Sequence, residues 1–464
     1  MRKLDSNRLW LRLLVVLSVF FSFAALNVSA QEISQEERIK ELEKKLQSLT
    51  EEIQKMKSDE VPEKTDRLTE VERKLDVLAE EIENIKSAAV VEESTYEKVY
   101  GQGPAASKVY LVDKGVSIGG YGEFTGEFKR RNDNIGDTLR AVLYFGYKFS
   151  DRIIFNSEIE FEHGNTDENL DERAGEVAVE FANLNFLIND YLNIRAGLNL
   201  VPVGILNEVH EPTTFFGALR PDVERFIIPS TWRDLGVGIF GQIVPGLNYR
   251  AYVLSGLDSR GFNASEGIRG GRSNGNRSQI DDPAFAARAE FDRIPGLRVG
   301  GSFYIGQSGQ NEKVNGRNID GLVQIYEADA QFQWRGLEAR WLFAYVNIDD
   351  ADLINLNNGL DGADSIGEEL YGFYVEAGYN VLSLTDIGQY FQYLTPFVRF
   401  EKYDTQYRVP SGFQRNPAND RITVTYGLSY KPIPNVVVKL DFQDRRNEDD
   451  SADNQFNVGL GYVF

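Results

Sequence analysis

From Val116 to the final Phe464 apolar residues fall at alternate positions, and nowhere in that span do eighteen apolar residues run consecutively. A period of two puts successive side chains on opposite faces of a strand, so the span predicts strands with one apolar and one polar face. Near 116–130, Ile118, Phe124 and Phe128 alternate with Ser117, Tyr121, Glu123, Thr125 and Glu127. Near 139–149, Leu139, Ala141, Leu143, Phe145, Tyr147 and Phe149 alternate with Arg140, Tyr144 and Lys148; near 152–163, Ile153, Phe155, Ile159 and Phe161 alternate with Arg152, Asn156, Glu158, Glu160 and Glu162. The pattern continues near 173–188, 190–203, 235–244, 247–258, 284–293, 297–308, 323–335, 337–349, 370–381, 392–405, 422–431, 436–446 and 455–464, about sixteen strands in all. Tight connections at Ser150-Asp151, Asn189-Asp190, Pro245-Gly246, Pro295-Gly296, Arg335-Gly336 and 432–435 alternate with long ones. Alternation alone also fits a soluble sandwich, but the polar face carries ionised residues on nearly every strand, which suits a closed, wet interior. The expected fold is an all-β transmembrane barrel of about sixteen antiparallel strands, 116–464, preceded by an α-helical coiled coil.

The N-terminus orders Arg2, Lys3, Arg8 and Arg12, then an apolar run, then Val28-Ser29-Ala30, which reads as a secretory signal peptide, 1–30, with Gln31 as the mature start. Removing its four basic residues and Asp5 takes the net charge from −21 to −24. An exported chain without an apolar helix spans a membrane only as a barrel. Within 31–88, Ile39, Leu42, Leu46, Leu49, Ile53 and Met56 follow three-four spacing, and so do Leu68, Val71, Leu75, Leu78, Ile82 and Ile85. The narrow two-in-seven stripe predicts two coiled-coil segments broken near 57–67, where Val61-Pro62 interrupts the frame. Residues 89–115 lose the pattern and read as a linker.

The chain has no cysteine, which excludes disulfides, thiolate metal sites and a cysteine nucleophile. Its acidic balance argues against a nucleic-acid partner. Only His163 and His210 are available to a serine triad, and neither sits in a recognisable motif, so no enzyme and no cofactor is expected.

At the C-terminus Phe456, Val458, Leu460, Tyr462 and Phe464 alternate and the chain stops on Phe464. This resembles the terminal strand of Gram-negative outer-membrane proteins, whose last aromatic is read by the barrel assembly machinery. Signal peptide, coil, strand count and terminal Phe464 together resemble bacterial porins. The stretch RAGLNLVPVGILNE at 195–208 is more narrowly similar to the phosphate-selective porin O/P group. The resemblance implies a homotrimer in the outer membrane, with the coil in the periplasm and passive diffusion of small hydrophilic or anionic solutes. Phosphate itself is not carried over, because the barrel lysines, Lys129, Lys148, Lys313, Lys402, Lys431 and Lys439, are few and scattered. A structural tether, with the barrel only an anchor, is the alternative function.

Selectivity of such a pore rests on inward side chains and on any loop folded into it. The strand phase points Arg195, Arg250, Arg288, Arg298, Arg340 and Arg399 inward opposite Glu123, Glu127, Glu158, Glu160, Glu176 and Glu180, unlike-charged walls that set up a transverse field. A bulge near Ala182 would invert part of the fourth strand. The roughly thirty residues from Pro202 to Asp234 are the constriction loop, carrying Glu208, His210, Glu211, Arg220 and Asp222. The loop 259–283, rich in Gly, Ser and Asn, with Arg260, Arg269, Arg272 and Arg277, is expected to be mobile and to touch lipopolysaccharide. The aspartates of 349–364 read as a solvated acidic loop rather than a cation site, and no metal site is expected.

Overall fold

A computed structural model describes residues 99–168, 174–384 and 392–464. The expected signal peptide and the coiled-coil seam, Ile39 to Ile85, lie outside the described residues. The alternating segments form sixteen barrel strands: β1 Gly115–Lys129, β2 Ile135–Ser150, β3 Ile153–Glu162, β4 Val177–Leu187, β5 Asn193–Leu200, β6 Arg233–Val244, β7 Leu247–Leu254, β8 Ala284–Ile294, β9 Leu297–Gly306, β10 Val323–Trp334, β11 Leu337–Ile348, β12 Glu369–Tyr379, β13 Tyr393–Arg408, β14 Asp420–Ile433, β15 Val436–Asn447 and β16 Gln455–Val463. Each pairs antiparallel with its sequence neighbours, and β1 pairs with β16 (Tyr121↔Val463 to Lys129↔Gln455), closing the barrel without a free edge. Phe464 extends that seam, exchanging backbone hydrogen bonds with Gly120 in both directions. Among the described residues no helix is long and apolar enough to cross a membrane, which says nothing of a barrel.

One rim carries the tight turns at Asp151-Arg152, Pro245-Gly246, Pro295-Gly296, Arg335-Gly336 and Pro434-Asn435; the other carries 163–176, 201–232, 255–283, 307–322 and 349–368. The outer surface exposes Phe124, Phe128, Phe145, Phe161, Val237, Ile239, Trp341, Phe343, Leu440 and Leu460, a continuous apolar belt of the kind water does not tolerate. The anticipated bulge lies at Glu180, where the β3–β4 register shifts between Glu158↔Phe181 and Ile159↔Val179. Its extra residue sends both Glu180 and Phe181 inward and keeps Asn183 and Asn185 there. Glu176, expected to face inward on this strand, precedes β4 and is exposed.

Two stretches depart from the sequence reading. Of the expected linker, residues 99–114 are described, and they fold against the wall: Gln102, Ala105, Ala106, Ser107 and Val109 are buried, and a short helix, α1, spans Lys108–Leu111. The loop 255–283 is packed rather than free. Leu257, Phe262 and Ile268 are buried, Arg269 donates to the Ser230 carbonyl, and Arg272 Nη1 donates to that of Thr231 at 2.7 Å. These two arginines therefore stitch one loop to another, while Arg277 stays exposed. Within 349–364 a helix, α2 (Ala351–Asn358), buries Leu353 and Ile354, and the aspartates disperse around it.

Candidate functional site

The lumen is filled by the loop 201–232, whose side chains are buried almost throughout. Its base is tied where Val201 N–H donates to the Trp232 carbonyl (3.0 Å), while Asn207 donates to the same carbonyl (2.8 Å) and accepts from Trp232 N–H (2.6 Å). From there it bonds to strands all round the wall. Gly204 N–H donates to Ser302 of β9 (3.2 Å), Glu208 meets Arg250 of β7 (2.8 Å), and His210 Nε2 lies 3.2 Å from Glu158 of β3. Arg340 of β11 donates to the Thr214 carbonyl (2.5 Å), Ala218 N–H donates to Asp441 of β15 (2.6 Å), and Val223 N–H donates to Glu401 of β13 (3.3 Å). Glu224 accepts from the N–H groups of Ile205 and Leu206 (2.9 and 2.6 Å) and from the Tyr374 hydroxyl of β12 (2.7 Å). Lys439 of β15 places its ammonium 3.5 Å from the centre of the Phe215 ring. The expected constriction thus crosses the whole lumen.

Inward glycines make room for it. A Cβ on Gly461 would meet Pro212 Cβ at 2.4 Å, one on Gly378 the Phe216 ring at 2.9 Å, and one on Gly372 Ile227 at 2.9 Å. These glycines, read in phase, are the signal that the loop packs on β12 and β16. The segment 99–111 seats below the loop: Ala105 N–H donates to Glu211 Oε1 (3.2 Å), Asn156 of β3 donates to the Ala106 carbonyl (2.9 Å), and a Cβ on Gly103 would overlap the Glu211 carboxylate.

All six expected wall arginines are placed inward, but they are not opposed to a separate carboxylate wall. Arg250 also pairs with Glu290 (2.5 Å), Arg288 with Glu290 (3.2 Å), Glu327 (3.1 Å) and Asp329 (2.7 Å), Arg399 with Glu376 (3.3 Å) and Glu401 (2.8 Å), and Arg340 with Glu338 (3.7 Å). Arg195 makes no direct ion pair among the described residues. It donates to Asn185 (2.7 Å), to the Tyr252 hydroxyl (3.1 Å) and to the Tyr100 carbonyl (3.3 Å). Across the lumen Arg140, a residue the sequence reading did not single out, gathers Glu123 (3.2 Å) and Glu160 (3.1 Å). Glu127 lies nearer the rim beside Lys129 (3.1 Å). The transverse field of two separated walls is therefore replaced largely by interleaved pairs, since a low-dielectric, filled interior favours charges that have a partner at hand.

Of the remaining loop residues, Asp222 accepts from the Tyr403 hydroxyl (3.2 Å) and Arg220 donates to the His210 carbonyl (3.3 Å). Burial pushes the carboxyls of Glu211 and Glu224 above the ordinary carboxylate range, against the hydrogen bonds that favour their ionised forms. A cavity of about 120 Å3 remains near the tight-turn rim, between Tyr100-Gly101, Glu208 and the wall residues Arg250, Arg288, Glu290 and Arg298.

An uncharacterized protein of Aquifex aeolicus is 38% identical over 385 residues, spanning 81% of this chain and 86% of the relative. The chain belongs to the family of that Aquifex protein. No protein-family model matches it. Among solved structures, OmpF of Salmonella typhi in complex with daunomycin superposes with a TM-score of 0.50 at 14% identity, covering 76% of this chain and 98% of that one. The anion-selective porin of Comamonas acidovorans gives 0.46 at 12%, covering 75% and 99%. At such identities the likeness is one of fold: this chain has a sixteen-stranded, porin-like barrel.

Proposed function

We propose that this protein is a passive outer-membrane channel for small hydrophilic or anionic solutes. The observation that carries this is the closed barrel with an apolar belt outside and ionised residues inside, the two environments a membrane pore demands. Solutes would pass Arg250, Arg288 and Arg298, at the cavity near the tight-turn rim, and the loop 201–232 would set the width of the path by how far it moves. Arg195, Arg340 and Arg399, with Glu123, Glu127, Glu158 and Glu160, would line the rest of it. The heptads of 31–88 support an oligomer with its coil in the periplasm, the resemblance to porins supports three copies in it, and the stretch 195–208 supports the narrower kinship with porins of the O/P group. Refolded protein in a planar bilayer under a salt gradient tests the reading: discrete current steps are expected, with a reversal potential away from zero.

A further inference from the structure

His210 is one of two histidines in the chain and the one that is buried, at 2% exposure, deep in the lumen. Its Nδ1 lies 3.1 Å from the Asn207 carbonyl oxygen. A carbonyl only accepts, so Nδ1 carries the proton of that bond, and Nε2 is the nitrogen left to face Glu158 and Glu180. Nε2 is 3.2 Å from Glu158 Oε1 and 3.9 Å from Glu180 Oε2, and the three donor atoms lie within 4.8 Å of one another. That nitrogen meets two carboxylates in a dry interior, an arrangement that needs either a proton on Nε2 or a metal cation among the three groups.

The oxygens that face this point are not otherwise used. Glu180 gives its Oε1 to Arg233 (2.6 Å), while its Oε2 has no hydrogen-bond partner, and neither does Glu158 Oε2. Both glutamates are at least 99% buried. Tyr121, whose hydroxyl is also without a partner, packs edge-on to the imidazole with centroids 6.0 Å apart. Glu123, Glu158, Glu160, Glu180 and Glu211 are buried here, set against the guanidiniums of Arg140, Arg220 and Arg233.

We propose that Glu158, Glu180 and His210 form a binding site for a divalent first-row transition-metal ion, with zinc the natural probe. One imidazole and two carboxylates suit such ions, and bonds of about 2.0–2.2 Å to each donor span separations of the size seen here. The carbonyl holding Nδ1–H is the outer contact that metal-ligating histidines characteristically make. Glu158 is on β3, Glu180 is the bulged residue of β4, and His210 is on the inserted loop, so the ion ties the loop to the wall. The site is independent of whether the barrel conducts.

The test is to refold the mature protein with and without Zn2+, remove excess metal, and measure bound zinc per chain by elemental analysis, with affinity from competition against a chelator. About one zinc per chain is expected. His210→Ala and Glu180→Gln should each weaken binding at least tenfold, and Glu208→Gln, elsewhere on the same loop, should leave it unchanged. Circular dichroism and heat-modifiable mobility confirm the barrel in each, and Glu180→Gln serves if His210→Ala does not fold. No stoichiometric zinc in folded wild-type protein, as an imidazolium held between the carboxylates would give, overturns the proposal. Equal binding in wild-type and both ligand variants overturns it as well.

Discussion

The two ends of the lumen are built by opposite means. Toward the tight turns, inward positions of β7 to β13 hold Arg250, Arg288, Glu290, Arg340, Glu376 and Arg399, tied by ion pairs. Toward the long loops, the same strands turn Leu254, Ala284, Ala286, Tyr304, Val323, Ile325, Leu342, Ala344, Val346 and Ile348 inward, packed on Val201, Val203, Ile227, Ile228 and Trp232 of the loop. An inward position in a barrel is therefore polar only where water or charge fills the space. Where a loop fills it, the wall becomes half of an ordinary hydrophobic core.

Removing a charge from the first end and volume from the second separates the two. Arg288→Met leaves Glu290, Glu327 and Asp329 facing one another, and a broken buried pair costs about 3–5 kcal/mol, here toward the upper end. Equilibrium unfolding from lipid vesicles should show this loss, together with a current shifted toward cations; wild-type stability and unchanged ion preference would deny the charged end its role. Trp232→Ala removes a ring packed 4.8 Å from Tyr304 and should cost about 3 kcal/mol or a little more. A loss well below 1 kcal/mol would mean the apolar end is not a packed core.

Gly461→Val is milder, about 1–3 kcal/mol of overpacking against Pro212. Because Pro212 belongs to the loop, the variant should push the loop out and enlarge single-channel steps; unchanged steps would show that the loop is not what limits them. The smallest effect is one of pH. The carboxyl of Glu224, raised by burial in the inserted loop, favours insertion most when protonated, below the ordinary carboxylate range near about pH 4.3. That contribution is lost as pH rises through the raised value, so conductance should grow from acid to neutral pH, and Glu224→Gln should flatten the rise. A steeper rise in the variant would reverse the sign of the argument.

Much of the barrel was legible because period two is a local property. The strand series, the Pro245-Gly246 turn, the bulge in β4 and the inward phase of Arg195, Arg250 and Arg399 all follow from neighbouring residues. What fills the barrel was not, because it is decided between residues far apart. Leu342 lies between Trp341 and Phe343, so both faces of β11 read apolar there and composition does not say that a loop meets one of them. The stretch Gly101 to Ser107 reads as linker by its Gly, Pro and Ala content, yet small residues are what fit beside Arg250 and Glu211. The partners of Arg288 lie on its own strand and on β10, two strands away, and only register brings them together. Likewise His210 reads as an ordinary loop histidine until Glu158 and Glu180 are set beside it.

Single-channel recording in a planar bilayer, under a salt gradient, of the full mature protein and of Gly461→Val tests most directly the claim that this is a channel crossed by its own loop. The account predicts discrete steps from wild-type protein, grouped in threes for a trimer, with a nonzero reversal potential, and larger steps from the variant. Folded, inserted protein that never conducts in either form would contradict it and leave the barrel as an anchor alone.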